Sequence, residues 1–159
     1  MKKNSARLFA ILVAATLISC AHRVGSQVPV SNYEKALVSN AILASVNKSV
    51  TDGVIATNKA GLLSTEKTKA VLDETYRISQ ADEEITAILE KGPEAATLEA
   101  DKIRDLLAQI NQSLTALATN GSLGIKNPLS QQTFLAQVSA VMVIAEQEVR
   151  QLQDAGILK

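Results

Sequence analysis

The chain has 159 residues, 16 Lys+Arg balanced by 16 Asp+Glu, one cysteine, one histidine and no tryptophan. A lone Cys rules out an internal disulfide scaffold, and Cys and His together are too few for a zinc cluster. Hydrophobic residues at 47% and charged residues at 20% argue against bulk disorder, aromatics at 3% leave few stacking platforms, and an apolar mass of Ala, Leu, Val and Ile favours helix over strand.

The chain opens with three cations, Lys2, Lys3 and Arg7. An uncharged run, Leu8 to Ile18, follows. It is well short of the roughly 20 apolar residues of a comfortable membrane span and fits the apolar core of a secretory signal peptide. The run ends in Leu17-Ile18-Ser19-Cys20. This segment resembles the lipobox of bacterial lipoproteins, with Leu17 three residues before the cut, small Ser19 just before it and Cys20 just after. The resemblance implies removal of residues 1–19, a diacylglycerol on the Cys20 sulfur and an acyl group such as palmitate on its new amine. It covers this segment alone; the body resembles no recognised family. The competing reading is an ordinary signal peptide or short anchor in which Cys20 is incidental. Two or three acyl chains hold a protein on a bilayer persistently, whereas one does so only marginally, so Cys20 reads as a membrane anchor and not a nucleophile. In Gram-negative lipoproteins an Asp after the Cys favours inner-membrane retention; Ala21 occupies that place, which by resemblance favours the outer membrane, facing the periplasm. Losing Lys2, Lys3 and Arg7 from 16 cations leaves 13 against 16 acids. A mature chain near −3 does not offer the basic face that nucleic acid needs.

Residues 21–30 show no helical period, and Gly25 and Pro29 break structure. They read as a tether with a reach of at most about 35 Å. His22, the only histidine, lies in it close to Cys20, whose expected acylation leaves a lone, exposed His that is not read as a catalytic base.

Residues 31–159 read as one helical domain of four segments. The first spans about 32–59, opened by a capping box from Ser31 to Glu34 and closed by Gly61. The second spans about 65–91, capped by Ser64 or Thr65 and stopped by Gly92-Pro93. The third spans about 94–119 and ends at Asn120-Gly121; the fourth spans about 128–154, with Asn127 as cap and Pro128 at the first helical position. Apolar residues recur at steps of three and four: Leu43, Val46, Val50, Val54; Val71, Ile78, Ile85, Ile88, Leu89; Ile103, Leu107, Ile110, Leu114, Leu117; Leu135, Val138, Met142, Ala145, Val149, Leu152. These are the stripes of packed helices. Short joints favour antiparallel neighbours, so the expected body is an all-α, up-down-up-down four-helix bundle. Leu43–Thr51 and Leu107–Thr115 share Leu-Ala-x-x-Asn-x-Ser-x-Thr, and Ala56-Thr57-Asn58 matches Ala118-Thr119-Asn120. The match predicts two similar αα-hairpins, 31–91 and 94–154.

Chemistry is sparse. Ser45-x-x-Lys48 and Ser64-x-x-Lys67 have the spacing of a penicillin-binding nucleophile and its lysine, but lack the partner motifs. Asp82, Glu83, Glu84, Glu90, Glu94, Glu99, Asp101 and Asp105 crowd the second and third segments. Without a His in the body they do not form a di-iron site, and no calcium-loop pattern is present, so they read as a solvated acidic face. No catalytic residue, metal site or cofactor is expected.

The expected function is therefore a non-catalytic binding or scaffolding role for a lipid-anchored envelope protein, with the membrane as one partner and a protein as the other. Two alternatives stand beside it: a ligand carrier or small enzyme with a pocket between the helices, and an exclusion or immunity lipoprotein that masks a receptor or toxin. If the tether fixes one end at the membrane, loops 58–64 and 120–127 meet at the far end. There Leu62, Leu63, Leu123 and Ile125 either face a partner or fold back and cap the bundle.

Overall fold

Ser31 and Glu34 start the first helix by exchanging hydrogen bonds: the Glu34 amide donates to Ser31 Oγ at 3.1 Å and the Ser31 amide donates to Glu34 Oε2 at 2.8 Å. This satisfies two backbone donors that a helix start otherwise leaves free. The computed structural model describes residues 30–121 and 124–159; the Cys20 and Leu123 expectations lie outside them. Ser31–Lys159 form one compact unit. Helix α1 is Asn32–Lys59, α2 is Thr65–Leu89, α3 is Pro93–Leu98, α4 is Ala100–Ala116 and α5 is Pro128–Asp154. Among the described residues the regular structure is entirely helical.

The stops follow the local chemistry. After α1 the chain turns at Gly61, whose φ of 70° is the left-handed region that a side chain disfavours. Ser64 then caps α2, accepting from the Lys67 amide at 3.3 Å. Asn127 caps α5 by accepting from the amides of Leu129 and Ser130, and Pro128 follows at the first helical position. Beyond α5 the Ile157 amide bonds back to the Leu152 carbonyl, which tucks Ile157 and Leu158 into the core.

The third expected segment is broken. Pro93–Leu98 and Ala100–Ala116 are separate helices divided at Glu99, whose φ of −102° and ψ of 20° interrupt the helical path. The last turn, Leu117–Gly121, is a π-helix. Here the Thr119 hydroxyl bonds the Thr115 carbonyl at 2.8 Å, a local competitor to the helical ladder.

Each long helix buries a seven-residue seam. In α1 it holds Ala36, Asn40, Leu43, Asn47, Val50 and Val54; in α2 Val71, Thr75, Ile78, Asp82, Ile85 and Leu89. In α4 it holds Ile103, Leu107, Ile110 and Leu114; in α5 Phe134, Val138, Val141, Ala145, Glu148 and Leu152. The expected stripe of α5 needs correction. Leu135, Met142 and Val149 are only half-buried, and their neighbours Phe134, Val141 and Glu148 point inward instead. Burying each large apolar side chain stabilises the fold by roughly 1.5–3 kcal/mol.

Tyr33 donates to the Leu89 carbonyl, Asn40 reaches Asp82 and Asn47 reaches Thr75. Numbers climb by seven on α1 while they fall by seven on α2, so these two helices are antiparallel. Likewise Ser39 bonds Gln151 at 2.7 Å while Gly53 approaches Gln137, which sets α1 against α5 in opposite senses. Helix α1 packs closely on α5 and α2, and α2 packs on α4; the α4–α5 contact is thinner. The internal repeat holds at some positions only. Leu43 and Leu107 are buried, as are Val50 and Leu114, but Asn47 is buried where Asn111 is exposed.

Candidate functional site

The seam positions carry polar residues where three helices meet. Asn40 of α1 donates from Nδ2 to Asp82 Oδ1 of α2 at 2.8 Å. Thr86, one turn further along α2, donates its hydroxyl to Asn40 Oδ1 and also to the Asp82 carbonyl. Glu148 of α5 completes the layer. Asp82 is 3% exposed and Glu148 0% exposed. Neither joins an ion pair among those of the described residues. Both Glu148 oxygens are buried without a hydrogen-bond partner.

Burial sets the protonation of this pair. Removing a carboxyl from water disfavours its charged form. Burial, reinforced by the negative charge of Glu83, pushes Asp82 up to about 7. Burial, reinforced by Asp82, pushes Glu148 up to about 8; the nearby Asn40 amide opposes this in part, although it makes no full hydrogen bond to Glu148. Seven residues along the seam a second polar step follows. Asn47 Nδ2 donates to the Thr75 carbonyl at 2.9 Å and to Ser79 Oγ at 3.0 Å, while its Oδ1 has no partner.

Above the first layer lies an open groove of about 490 Å³ between α1 and α2. Leu37, Ala41, Ala44 and Ala87 form apolar walls around Asn40, Asp82 and Thr86, with Glu83 and Glu90 also lining it. Such a groove could take a small ligand or a side chain, and its carboxyls could exchange protons. Among the described residues no cluster of three or more His, Cys, Asp or Glu is placed to hold a metal.

The acidic-face expectation is corrected at Asp82, which lies in the core; Glu83, Glu84, Glu90, Glu94, Asp101 and Asp105 are exposed, with Glu99 half-buried. Glu148 escaped the sequence reading. The signal that reaches it is the seven-residue step from Phe134 through Val141, which lands on Glu148. At the loops, the Lys126 amide donates to the Leu62 carbonyl at 3.0 Å, so the segments around 58–64 and 124–127 do meet. Leu63 is 3% exposed and Ile125 8% exposed, and both belong to the core; Leu62 is half-buried. The side chains of Leu63 and Ile125 therefore pack inward at the end of the helices, and Asn58 Nδ2 holds the Leu63 carbonyl at 2.9 Å. The two Ser-x-x-Lys stretches are ordinary helix features. Lys48 pairs with Asp52 at 2.7 Å, and Ser64 serves as a cap.

Comparison with family models, with curated proteins and with solved structures gave no match.

Proposed function

We propose that this chain is a lipid-anchored cell-envelope protein whose helical body binds or scaffolds at a membrane surface without catalysis. One observation carries the reading: a basic start, a short apolar run and Leu17-Ile18-Ser19-Cys20 occur in order, and the sole cysteine falls at the acceptor place. Among the described residues no helix is long and apolar enough to cross a membrane. Attachment in this reading therefore rests on acylated Cys20, and Ala21 favours the outer membrane. The body is read as an up-down-up-down bundle in which α3 and α4 together form the third rung. The opposed registers of α1 with α2 and of α1 with α5 support that arrangement.

A second reading, a carrier with a pocket between helices, is favoured by the groove in which Asn40, Asp82 and Thr86 converge. Against it, these groups already bond to one another and the groove is open.

The anchor is tested by mass spectrometry of protein from cells fed a labelled fatty acid. The expected N-terminal peptide begins at Cys20 and carries diacylglycerol and an acyl chain. Cys20→Ala should leave an unprocessed chain without the label. Protein that begins at Met1 with an unmodified Cys20 overturns the reading.

A further inference from the structure

The polar layer has no role in that reading and belongs to the helical body alone. Two carboxyls, Asp82 and Glu148, lie at inward seam positions on different helices, with the Asn40 amide bonded to Asp82 and close to Glu148. Among the described residues no cation pairs with either. On α2, Glu83 flanks Asp82, while the next acid, Glu84, is held by Lys102 of α4 at 3.1 Å. On α4, Arg104 pairs with Asp101 and Asp105 is exposed. On α5, Glu146 and Arg150 are exposed and lie 4.0 Å apart. On α1, Lys35 bonds Asn32 and Lys48 pairs with Asp52 at the surface. Two ionised carboxylates here would be negative charges in an apolar interior with one amide donor between them, an arrangement that burial strongly opposes. A neutral carboxyl carries its own donor and so supplies what the layer lacks.

We propose that Asp82 and Glu148, with Asn40 beside them, form a proton-operated lock: protons on the pair hold α1, α2 and α5 together, and their release to water loosens this layer and the groove above it.

The direction follows from linkage. In the unfolded chain the two groups titrate near 3.8 and 4.5; in the folded chain burial raises them to about 7 and about 8. The folded state therefore binds more protons across this window. Its stability from these groups is fully present below about pH 4 and is lost as pH rises through 7 and 8.

The test uses the full chain in detergent. Thermal melts from pH 5 to 9 should show the wild-type midpoint falling by several degrees toward pH 9. Asp82→Asn with Glu148→Gln, which imitates the protonated pair, should flatten that fall. In parallel, carboxyl-carbon NMR of the wild type should show two carboxyls, Asp82 and Glu148, titrating above pH 6. A wild-type midpoint that does not fall, an equal fall in the double variant, or both carboxyls titrating near 4 overturns the lock. If the double variant does not fold, the wild-type NMR titration alone decides between the two outcomes.

Discussion

Helix α4 and the α1–α2–α5 junction present similar apolar stripes but bury different things. The inward face of α4 is Ile103, Leu106, Leu107, Ile110 and Leu114, with Ser113 as its buried polar member. The junction interleaves Leu43, Ile78, Ile85 and Leu152 with Asn40, Asn47, Thr75, Asp82 and Glu148. The first region gains stability from close packing, which is nearly independent of pH. The second accepts desolvated polar groups in its interior, so its stability depends on protons. Similar periodicity thus serves two purposes, and the identity of the residue at each seventh position decides which.

Leu114→Ala should lower unfolding free energy by about 2–5 kcal/mol, through lost transfer energy and the cavity left behind. Chemical denaturation at pH 5 and at pH 9 should give the same loss at both. A loss confined to one pH would place Leu114 in the titrating region.

On the polar side, Glu148→Met replaces a buried carboxyl with an apolar side chain of similar length. At pH 9, where the wild-type group is ionised, it should raise stability by about 1–4 kcal/mol. At pH 4, where Glu148 is neutral, the gain should shrink or vanish. A gain that ignores pH would mean that packing, and not charge, limits this site.

Smaller effects sharpen the contrast by what they share. Ser31→Ala and Asn127→Ala remove caps on α1 and α5, and each should cost about 1 kcal/mol in denaturant melts at either pH. Lys69→Ala breaks an exposed pair with Asp73 at 2.8 Å. Its effect should stay within about 1 kcal/mol and fade in high salt. If a cap mutation matched Leu114→Ala in size, the core would not be the seat of the difference between regions.

Much of the scaffold was legible from sequence because its signals are local. Ser31 with Glu34, Ser64, and Asn127 with Pro128 each announce a helix start through backbone donors that need partners, and the structure places α1, α2 and α5 accordingly. The break at Glu99 and the π turn at Leu117–Gly121 were not legible, since nothing in Ala95–Asp101 or Leu114–Gly121 before the terminal Asn120-Gly121 resembles a stop. The candidate site was missed for a different reason. A search for apolar spacing passes over a carboxyl and settles on the apolar residue beside it. Apolar spacing favours Val149 over Glu148 and Met142 over Val141, which shifts one column of the α5 stripe by one position while Val138, Ala145 and Leu152 keep theirs. Asp82 was counted with its solvated neighbours because Glu83 and Glu84 follow it directly in sequence. Charge marks a surface residue only until a seventh-position seam runs through it.

The spacing of Tyr33, Asn40 and Asn47 along α1 also bears on how the chain avoids threading itself wrongly. Apolar seams are self-similar, so one helix can slip past another by seven residues, about 10 Å, and still match leucine to isoleucine. A slip of α2 keeps some polar pairs, because these residues are themselves seven apart: one way brings Asn47 to Asp82, the other brings Tyr33 to Asp82. Either way it parts Asp82 and Thr86 from Asn40 and takes Asp82 away from Glu148 of α5. Only the observed alignment puts Tyr33 on the Leu89 carbonyl, Asn40 on Asp82 and Asn47 on Thr75 together. The polar residues act as index marks on a scale that would otherwise read the same at every turn, a use of buried polar groups known from coiled coils. An all-apolar redesign of these positions should melt higher yet populate more than one helix alignment.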